Sequence, residues 1–393
     1  MASKNKIYYN AGAITSIETL AKSLSFPESF LLKVSKNSNI FYTFFTKTVK
    51  NKQRNLADPH PALKILHKRI ISRIFSNLEF PPYLHGGIKT NDPRDFITNA
   101  STHAGAETTI TLDIESFFPS ITSAQVSYAF ENLFNFPPEV SKILTGIVTL
   151  NGTIPQGAPT SSYIANFIMW EKECKLVAQL SGQGFLYTRL IDDMAISSEK
   201  RISEKNITSI TNKVAAMLKN FDYKLHSKKK NIFSKSNPEK LMLVTGLWLN
   251  RGSPKILKER RIEISNEVIR VRKLALNPAM IFDKKYHEIH SSALGKVALL
   301  KRLKHARAER LQKILKSVEP QFDEETCDKL SKLIKKFTKT DNKKNIRLSY
   351  LKQFYKFQYM VSIIKRTDPG LSQELQGLLN DRRPSKTMKD FHA

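Results

Sequence analysis

The segment FLYTRLIDDMAIS (185–197) constrains the fold of this chain more than any other. Two apolar, strand-like halves flank Asp192 and Asp193, so this acidic pair lies at the tip of a predicted β-hairpin. A second segment, TTITLDI (108–114), alternates apolar and polar residues and predicts a half-buried strand with Asp113 near its end. If these strands are neighbours, the three carboxylates converge at one edge of a sheet.

Predicted helices surround these strands. Thr122 and Gln125 form a capping-box pattern that opens one helix, and helical periodicity indicates the others. The remaining predicted elements are a hairpin with a basic turn (41–59), helices from Pro61, over 159–180 and over 203–221, and a strand pair over 241–250. From 108 onward the order is strand, helix, helix, hairpin, helix, hairpin. It predicts an α+β domain in which helices cover one face of an antiparallel sheet.

The charge of the chain indicates a polyanionic partner. The formal net charge is +29, and residues 251–393 carry +18 of it, with a dense run KRLKHARAER at 301–310. Nucleic acid is the first candidate partner. A membrane surface is the second, although no basic amphipathic helix with an apolar face stands out near a terminus.

Other features narrow the class of protein. The chain has two cysteines, Cys174 and Cys327, which exclude a disulfide scaffold and indicate a reducing compartment. No apolar run approaches the ~18 residues of a membrane span, and the start lacks the apolar core of a secretory signal. We therefore expect a cytoplasmic protein.

Converging carboxylates in a basic protein predict a cation site. Such a group is costly to bury unless something positive binds it, and Mg²⁺ prefers carboxylate oxygens together with substrate phosphates. Two metal ions ~3.5–4 Å apart could activate an attacking hydroxyl and stabilise a leaving oxygen. The residues thus indicate metal-assisted phosphoryl transfer on nucleic acid. The alternative is that Asp192-Asp193 is only a polar turn.

Three longer motifs carry a family resemblance. LDIESFFPSI (112–121), GTIPQGAPTSSYIANF (152–167) and YTRLIDDMAIS (187–197) resemble the A, B and C motifs of reverse transcriptases, in order and at similar spacing. NASTH (99–103) and VTG (244–246) are similar to the NAxxH and VTG signatures of retron reverse transcriptases. The resemblance covers about residues 40–250 motif by motif.

The resemblance implies a right-hand polymerase: fingers, a ferredoxin-like palm, and a helical thumb with a C-terminal extension. The expected parts are 1–107 (fingers and N-terminal region), 108–250 (palm with part of the fingers), 251–320 (thumb) and 321–393 (basic helical extension). In this last part LKQFYKFQYM (351–360) suits either RNA stacking or docking of a partner protein.

The resemblance also assigns the catalytic centre. Two Mg²⁺ ions are expected, with ligands from the side chains of Asp113, Asp192 and Asp193 and from the backbone carbonyl of Ile114. Lys229 matches the region-D lysine that protonates the pyrophosphate leaving group, and Lys228 and Lys230 are rivals for that role.

Further residues are implied to hold the incoming nucleotide. Phe118 would crowd a ribose 2′-OH and favour deoxynucleotides, the alternative being a core aromatic. Gln156 and Gly157 would lie against the template or the nucleotide, the alternative being an ordinary turn. Lys50 and Arg54 would hold the triphosphate, with Lys47 and Lys52 as nearby alternatives.

A last group of residues is expected to contact RNA: Asn99, His103, Thr245, Gly246, Lys301, Arg302, Lys304 and Arg307. For NAxxH the alternative is a helix-capping Asn and a satisfied surface His. Trp248 could stack on a base or lie in the sheet. Leu190 stands where the family usually has Tyr, two positions before the paired aspartates, and so lacks that hydroxyl.

The implied function is that of a bacterial RNA-directed DNA polymerase of the retron type. It would copy a cognate structured non-coding RNA with dNTPs, primed from a guanosine 2′-OH, to give a branched RNA–DNA hybrid. A role in antiphage defence with a separately encoded effector is also implied, without a membrane. The alternatives are a group II intron-like or abortive-infection reverse transcriptase, or an RNA-binding scaffold without catalysis.

Overall fold

The structure is a computed structural model, and it describes residues 5–49, 52–237, 240–339 and 347–392. The chain forms two compact units, Met1–Pro254 and Lys255–Ala393. The strands of the first unit are β1 (Tyr8–Tyr9), β2 (Tyr42–Val49), β3 (Lys52–Pro59), β4 (Leu78–Glu79), β5 (Leu84–His85), β6 (Thr108–Asp113), β7 (Leu186–Leu190), β8 (Asp193–Ser198), β9 (Asn231–Ser234), β10 (Leu243–Val244) and β11 (Leu247–Trp248). Its helices are α1 (Ile17–Leu24), α2 (Glu28–Lys36), α3 (Pro61–Arg73), α4 (Phe96–Thr102), α5 (Phe117–Ser120), α6 (Ser123–Asn132), α7 (Pro138–Val148), α8 (Ser161–Phe167), α9 (Trp170–Gly182) and α10 (Glu204–Lys219).

A five-stranded sheet in the order β5-β7-β8-β6-β9 organises the first unit. Chain order runs β6, helices, β7, β8, α10, β9, which is the βαββαβ pattern of a ferredoxin-like fold. Neighbours in this sheet are antiparallel except that β5 runs parallel to β7. The predicted α+β class and the ferredoxin-like palm are confirmed.

The first strand of this pattern is more buried than its sequence predicts. The alternation in 108–114 indicates one solvated face, yet Thr109 is fully buried and Asp113 is 6% exposed. The Thr109 hydroxyl donates to Sδ of Met242 at 3.4 Å. Because residues beside the β10–β11 hairpin cover the polar face of β6, the strand is central to the fold.

The predicted helix over 159–180 is interrupted. α8 ends at Phe167 and α9 begins at Trp170. At the break, Arg189 donates to the backbone carbonyls of Ala165 and Asn166 at 3.0 Å each. In a continuous helix these two carbonyls would accept from the N–H groups four residues later. Here the guanidinium is a donor to both carbonyls instead.

Other predicted elements of the first unit are present. The capping box of Thr122 and Gln125 opens α6, and the Ser203 hydroxyl caps α10. Leu63, Leu66 and Ile70 of α3 are fully buried, as their spacing predicts.

The second unit is helical. Its helices are α11 (Lys258–Leu274), α12 (Lys284–Arg302), α13 (Ala308–Lys316), α14 (Glu324–Thr338), α15 (Leu348–Ile364), α16 (Pro369–Asn380) and α17 (Met388–His392). A separate apolar core joins α14, α15 and α16. In α15 the phenylalanines Phe354 and Phe357 face this core, whereas Tyr355 and Tyr359 are exposed. The division of the chain into fingers, palm, thumb and extension stays a prediction.

Cys174 and Cys327 are both buried free thiols. Within the described ranges, no helix is both long enough and apolar enough to cross a membrane.

Candidate active site

Strand pairing brings the acidic residues together as predicted. Asp113 at the end of β6 lies directly opposite Asp193 at the start of β8. Ile191 and Asp192 form the tight turn between β7 and β8. The N–H of Ile114 donates to the carbonyl of Asp192 at 3.1 Å, which ties the turn to β6.

The electrostatics of this group favour a bound cation. Burial raises the pKa of Asp193 to about 7, with further contributions from the charges of Asp192 and Asp113 and from a hydrogen bond with Asp113. Asp193 keeps an exposed surface, so burial here means crowding of the carboxyl on its protein side. Carboxylates this close resist shared ionisation unless positive charge is supplied.

Lys229 supplies part of that charge. Its Nζ lies 2.7 Å from Oδ1 and 2.6 Å from Oδ2 of Asp113. The backbone N–H of His226 donates to the carbonyl of Asp113 at 2.8 Å. A short 3-10 turn, Ser227–Lys229, follows and carries the lysine to the carboxylate.

The two neighbouring lysines are placed differently. Lys228 lines the same cavity as Asp113 and Lys229, and Lys230 is exposed. Of the three consecutive lysines, Lys229 has the contact with Asp113.

The donor set fits a hard divalent ion. Carboxylate oxygens of Asp113, Asp192 and Asp193 are the ligands that Mg²⁺ prefers. Among the residues that the structure describes, no three His, Cys, Asp or Glu side chains form a ready-made metal cage. Mg²⁺ usually takes one or two carboxylates and completes its shell with waters and substrate phosphates, so an incomplete protein cage agrees with such a site. The role of the Ile114 carbonyl stays a prediction.

The PQG turn of the B motif joins the hairpin β2–β3. The N–H of Ala57 in β3 donates to the carbonyl of Gln156 at 3.0 Å. Gly157 has φ +118°, and a Cβ there would lie 2.8 Å from the Ala57 carbonyl oxygen. Only glycine permits this approach of two backbones.

A groove with a volume of about 720 Å³ lies beside this joint. Its lining includes Gln156, Pro119 and the hairpin residues Phe44 and Phe45, whose side chains are 59% and 45% exposed. Phe118, next to Pro119, is half-buried and packs against the core. The groove therefore places aromatic rings and a glutamine beside the PQG turn.

Two of the cations named for the triphosphate, Arg54 and its alternative Lys47, lie on the same hairpin. Lys50 lies outside the described residues. Arg54 is in β3, opposite Lys47 in β2, and Lys47 is exposed. These assignments stay predictions.

The NAxxH residues are buried, contrary to a surface location. His103 is fully buried. One ring nitrogen lies 2.6 Å from the Ser197 hydroxyl in β8, and the other lies 2.7 Å from the Thr188 hydroxyl in β7. Burial lowers the pKa of His103 to about 3, so the ring is neutral. Both nitrogens are thus engaged in bridging β7 and β8, which argues against a direct contact between His103 and RNA.

Asn99 lies one helical turn earlier and is 1% exposed. Its Oδ1 accepts from the Thr188 hydroxyl at 3.2 Å. Its Nδ2 is buried and has no hydrogen-bond partner within the described part of the chain. An unpaired buried amide calls for an explanation, and Asn99 lines the cavity beside the aspartates.

The VTG turn borders that same cavity, whose volume is about 280 Å³. Thr245 and Gly246 form the turn between β10 and β11, both with positive φ (48° and 80°). The Thr245 hydroxyl donates to the carbonyl of Phe96, the first residue of α4, at 2.9 Å. The two signature motifs, far apart in sequence, are therefore joined through α4. Trp248 is half-buried, and the Arg251 guanidinium lies 5.4 Å from its ring centroid.

The basic residues expected to contact RNA near position 300 lie in the second unit. Lys301 and Arg302 end α12, and Lys304 and Arg307 lie in the connection to α13. All four are exposed.

Sequence reasoning missed a buried ion pair behind the Ile191–Asp192 turn. Arg189 in β7 and Glu173 in α9 are fully buried and joined by two short contacts. The signal in the sequence is a single charged residue inside each apolar segment, LYTRLI and ECKLV, because charges are rarely buried unless paired.

Leu190 packs beside a glycine. A Cβ on Gly86 would lie 2.6 Å from Cδ1 of Leu190. The leucine thus fills space against the β5 side of the sheet, and the effect of its missing hydroxyl stays a prediction.

Comparison with known proteins identifies the family. Residues 36–258 match the model of the reverse transcriptase (RNA-dependent DNA polymerase) family. The chain is 34% identical to the retron Se72 reverse transcriptase of Salmonella heidelberg, covering 96% of this chain and 100% of that one. It is 28% identical to the retron Ec48 reverse transcriptase of Escherichia coli, covering 93% and 91%.

Among solved structures, telomerase from Candida albicans in complex with a fragment of telomeric RNA aligns with a TM-score of 0.40 and 11% identity. The alignment covers 90% of this chain and 65% of that one, a likeness too remote to carry an argument. The family match and the two bacterial relatives carry the assignment: this chain belongs to the retron reverse transcriptases, and it is an RNA-directed DNA polymerase with the α+β fold of right-hand polymerases.

Proposed function

We propose that this enzyme copies a cognate structured non-coding RNA into DNA, starting from the 2′-OH of a guanosine in that RNA. The product is a branched RNA–DNA hybrid. The observation that supports the catalytic part is the direct pairing of Asp113 with Asp193 across β6 and β8, with Asp192 in the adjoining turn.

In this proposal Asp113, Asp192 and Asp193 would hold two Mg²⁺ ions, which when bound would supply activation of the attacking hydroxyl and charge stabilisation at the leaving oxygen. Asp113 and Asp193 set the position of the 3′-end or branching hydroxyl beside the nucleotide. When a nucleotide enters, Lys229 leaves Asp113 and offers a proton from Nζ to the departing pyrophosphate. The contact of Nζ with both Asp113 oxygens supports Lys229 over its two neighbours for this role.

The nucleotide and template lie, we propose, in the groove between the β2–β3 hairpin and the PQG turn. Gln156 and Gly157 face them there, and Phe118 restricts the ribose 2′ position. Lys50 and Arg54 hold the triphosphate. The exposed rings of Phe44 and Phe45 in the groove lining support base stacking at this place.

The RNA is held, in the same proposal, by both units. Thr245 and Gly246 contact it at the cavity beside the aspartates, and the unpaired Nδ2 of Asn99 supports a contact there after a small movement. His103 acts through the strands that it bridges. Lys301, Arg302, Lys304 and Arg307 bind phosphates, which their exposure and charge support.

The wider role we propose is antiphage defence in the bacterial cytoplasm, together with a separately encoded effector protein. The names of the relatives support the retron assignment on which this role depends.

A reconstituted reaction tests the catalytic proposal. Purified protein, cognate RNA, dNTPs and Mg²⁺ are expected to give DNA that is covalently attached to the RNA. Asp192→Ala plus Asp193→Ala is expected to abolish the product while RNA affinity changes less than about threefold. Glu199→Ala, which removes an exposed carboxylate just beyond β8, is the matched control and is expected to keep full activity. DNA synthesis at the parental rate by the double aspartate variant would sink the assignment.

Priming has its own test in the same reaction. A cognate RNA whose candidate guanosine carries 2′-deoxyribose is expected to give no attached DNA, although an added DNA primer is still extended. Attached DNA from the 2′-deoxy RNA contradicts 2′-OH priming and leaves the polymerase assignment intact.

A further inference from the structure

Arg189 uses every donor that it has. The side chain is fully buried, three residues before Asp192. A guanidinium has five N–H donors, and here there are five contacts of 2.5–3.0 Å with Glu173 Oε1, Glu173 Oε2, Ala165 O, Asn166 O and Ile191 O. Three of the five acceptors are backbone carbonyls. The ion pair therefore serves to fix main chain as well as to neutralise charge.

One of these carbonyls belongs to the catalytic turn itself. Nη1 of Arg189 lies 2.9 Å from the carbonyl oxygen of Ile191, and Ile191 immediately precedes Asp192. Ile191 has φ +60°, a left-handed conformation that a β-branched residue adopts only when its surroundings impose it. Two backbone anchors impose it here: Arg189 on Ile191, and the N–H of Ile114 on Asp192.

The guanidinium is in turn held by its partners. Glu173 accepts from Nε at 2.5 Å and from Nη2 at 2.7 Å, a two-pronged contact that fixes the plane of the guanidinium. The Tyr187 hydroxyl donates to Oε1 of the same carboxylate at 2.7 Å. Burial by itself lowers the pKa of Arg189, but the charge and hydrogen bonds of Glu173 outweigh it, so the net shift is upward and the side chain stays charged.

The other two carbonyls belong to α8. They lie where α8 ends, in the helix that follows the PQG turn. Arg189 thus connects the helix of the B motif to the turn of the C motif through main-chain atoms.

We propose that Arg189 is a positioning residue for nucleotide addition: it holds the Ile191–Asp192 turn in its left-handed conformation against the end of α8, and thereby sets where Asp192 and Asp193 point. The inference rests on the proposed roles of these aspartates. It goes beyond them, because Arg189 itself touches neither substrate nor reacting atoms.

The first test compares two conservative variants of the full-length protein. Arg189→Lys keeps a positive charge beside Glu173 but has three donors in place of five, so it cannot serve all the acceptors. We expect kcat for DNA synthesis to fall about 10- to 100-fold. We expect KM for dNTP and the Kd for RNA to change less than about threefold. Mn²⁺ affinity, measured by titration calorimetry without nucleotide, is expected to weaken at least about fivefold.

Tyr187→Phe is the matched control. It removes one buried hydrogen bond to the same Glu173 carboxylate without touching Ile191, and its kcat is expected to stay within about twofold of the parent. If Arg189→Lys folds and keeps parental kcat and Mn²⁺ affinity, the proposal is wrong. It is also wrong if both variants lose activity only in proportion to their folded fraction.

A second variant separates positioning from stability. Glu173→Met plus Arg189→Met removes both buried charges together, a change that often leaves stability intact. We expect a folded protein with low kcat, because the Ile191 carbonyl has lost its donor. Adding Ile191→Asn to Arg189→Lys is expected to recover part of the kcat, because Asn tolerates the left-handed conformation. A folded double-Met variant with parental kcat would overturn the proposal. Asp192→Ala plus Asp193→Ala, assayed separately, tests the aspartate assignment by itself. Parental activity in that variant would overturn the aspartate assignment, whatever the result for Arg189.

Discussion

At the scale of single residues, Lys229 is the clearest case of a choice that the sequence leaves open. The three consecutive lysines at 228–230 have identical side chains and lie in the same short stretch of sequence, so no pattern distinguishes one from another. The structure separates them because a 3-10 turn directs Lys229 toward the carboxylate of Asp113. The choice depends on backbone geometry that is set by pairing of the segment with β6.

Lys229→Ala is expected to lower kcat about 100-fold, since general acid catalysis typically contributes 10²–10⁴. Lys228→Ala and Lys230→Ala are the matched controls, and we expect less than about fivefold loss for each. The measurement is single-nucleotide addition in rapid-quench experiments. A larger loss for Lys228→Ala than for Lys229→Ala would move the role to the neighbouring residue.

The three aspartates are the opposite case, because their meeting was predictable. The strand pattern predicts Asp113 at the end of one strand and Asp192-Asp193 at a hairpin tip. Antiparallel pairing of β6 with β8 then brings these carboxylates together. The burial of His103 was not predictable in the same way. Its two hydroxyl partners, Thr188 and Ser197, lie 85 and 94 residues away, and no local pattern reports on such distant contacts.

At the scale of elements, the same limit explains the interrupted helix. Residues 159–180 have continuous helical periodicity, and the break between α8 and α9 comes from Arg189 in another element. The turn at Gly157 has a comparable cause. Its glycine is readable from the sequence as a turn residue, but the reason for it is the carbonyl of Ala57 in the hairpin β2–β3.

Gly157→Ala therefore tests how the hairpin is joined to the palm. The added Cβ meets the Ala57 carbonyl oxygen at 2.8 Å, at φ +118°. We expect a loss of about 2–3 kcal/mol in the free energy of unfolding and at least a tenfold loss in kcat/KM for dNTP. Gly152→Ala is the control, because Gly152 also has positive φ (+80°) but open space around it.

For Gly152→Ala we expect a loss of about 1 kcal/mol and little change in kcat/KM. Urea denaturation and steady-state kinetics measure the two quantities. Equal effects of the two substitutions on kcat/KM would show that backbone strain, and not the contact with Ala57, determines the result.

At the scale of the whole molecule, the excess of positive charge takes on two tasks. The first unit places Lys229 against the acidic centre, whereas residues 251–393 carry a net charge of +18. Such an asymmetry was readable from composition. Composition does not predict which of these cations would contact RNA. The packing of the helices determines where each charged side chain lies, and composition carries no information about packing.

Two buried histidines are expected to make the first unit less stable at acidic pH. Burial lowers the pKa of His67 to about 4 and that of His103 to about 3, against about 6.5 in the unfolded chain. The unfolded state therefore binds more protons below pH 6.5, so the stability is fully present above that pH and is lost as the pH falls toward 4 and 3. At pH 5 each of these two histidines is expected to lower the free energy of unfolding by about 2 kcal/mol relative to neutral pH.

Thermal unfolding of the RNA-free protein from pH 7.5 to pH 5 measures this effect, and we expect Tm to fall. His67→Gln is expected to unfold at a lower temperature than the parent at pH 7.5 and to show a smaller further fall by pH 5. If Tm depends on pH in His67→Gln as it does in the parent, His67 is not a source of the acid destabilisation.

The five contacts of Arg189 also have an evolutionary consequence. Three of its acceptors are main-chain carbonyls of Ala165, Asn166 and Ile191, and a carbonyl is present whatever side chain stands there. Mutation at these three positions leaves the acceptors in place, whereas mutation of Glu173 or Arg189 leaves a buried charge alone. In related chains, positions 173 and 189 are thus expected to change together or not at all, while 165, 166 and 191 drift within the limits of packing and of the left-handed turn.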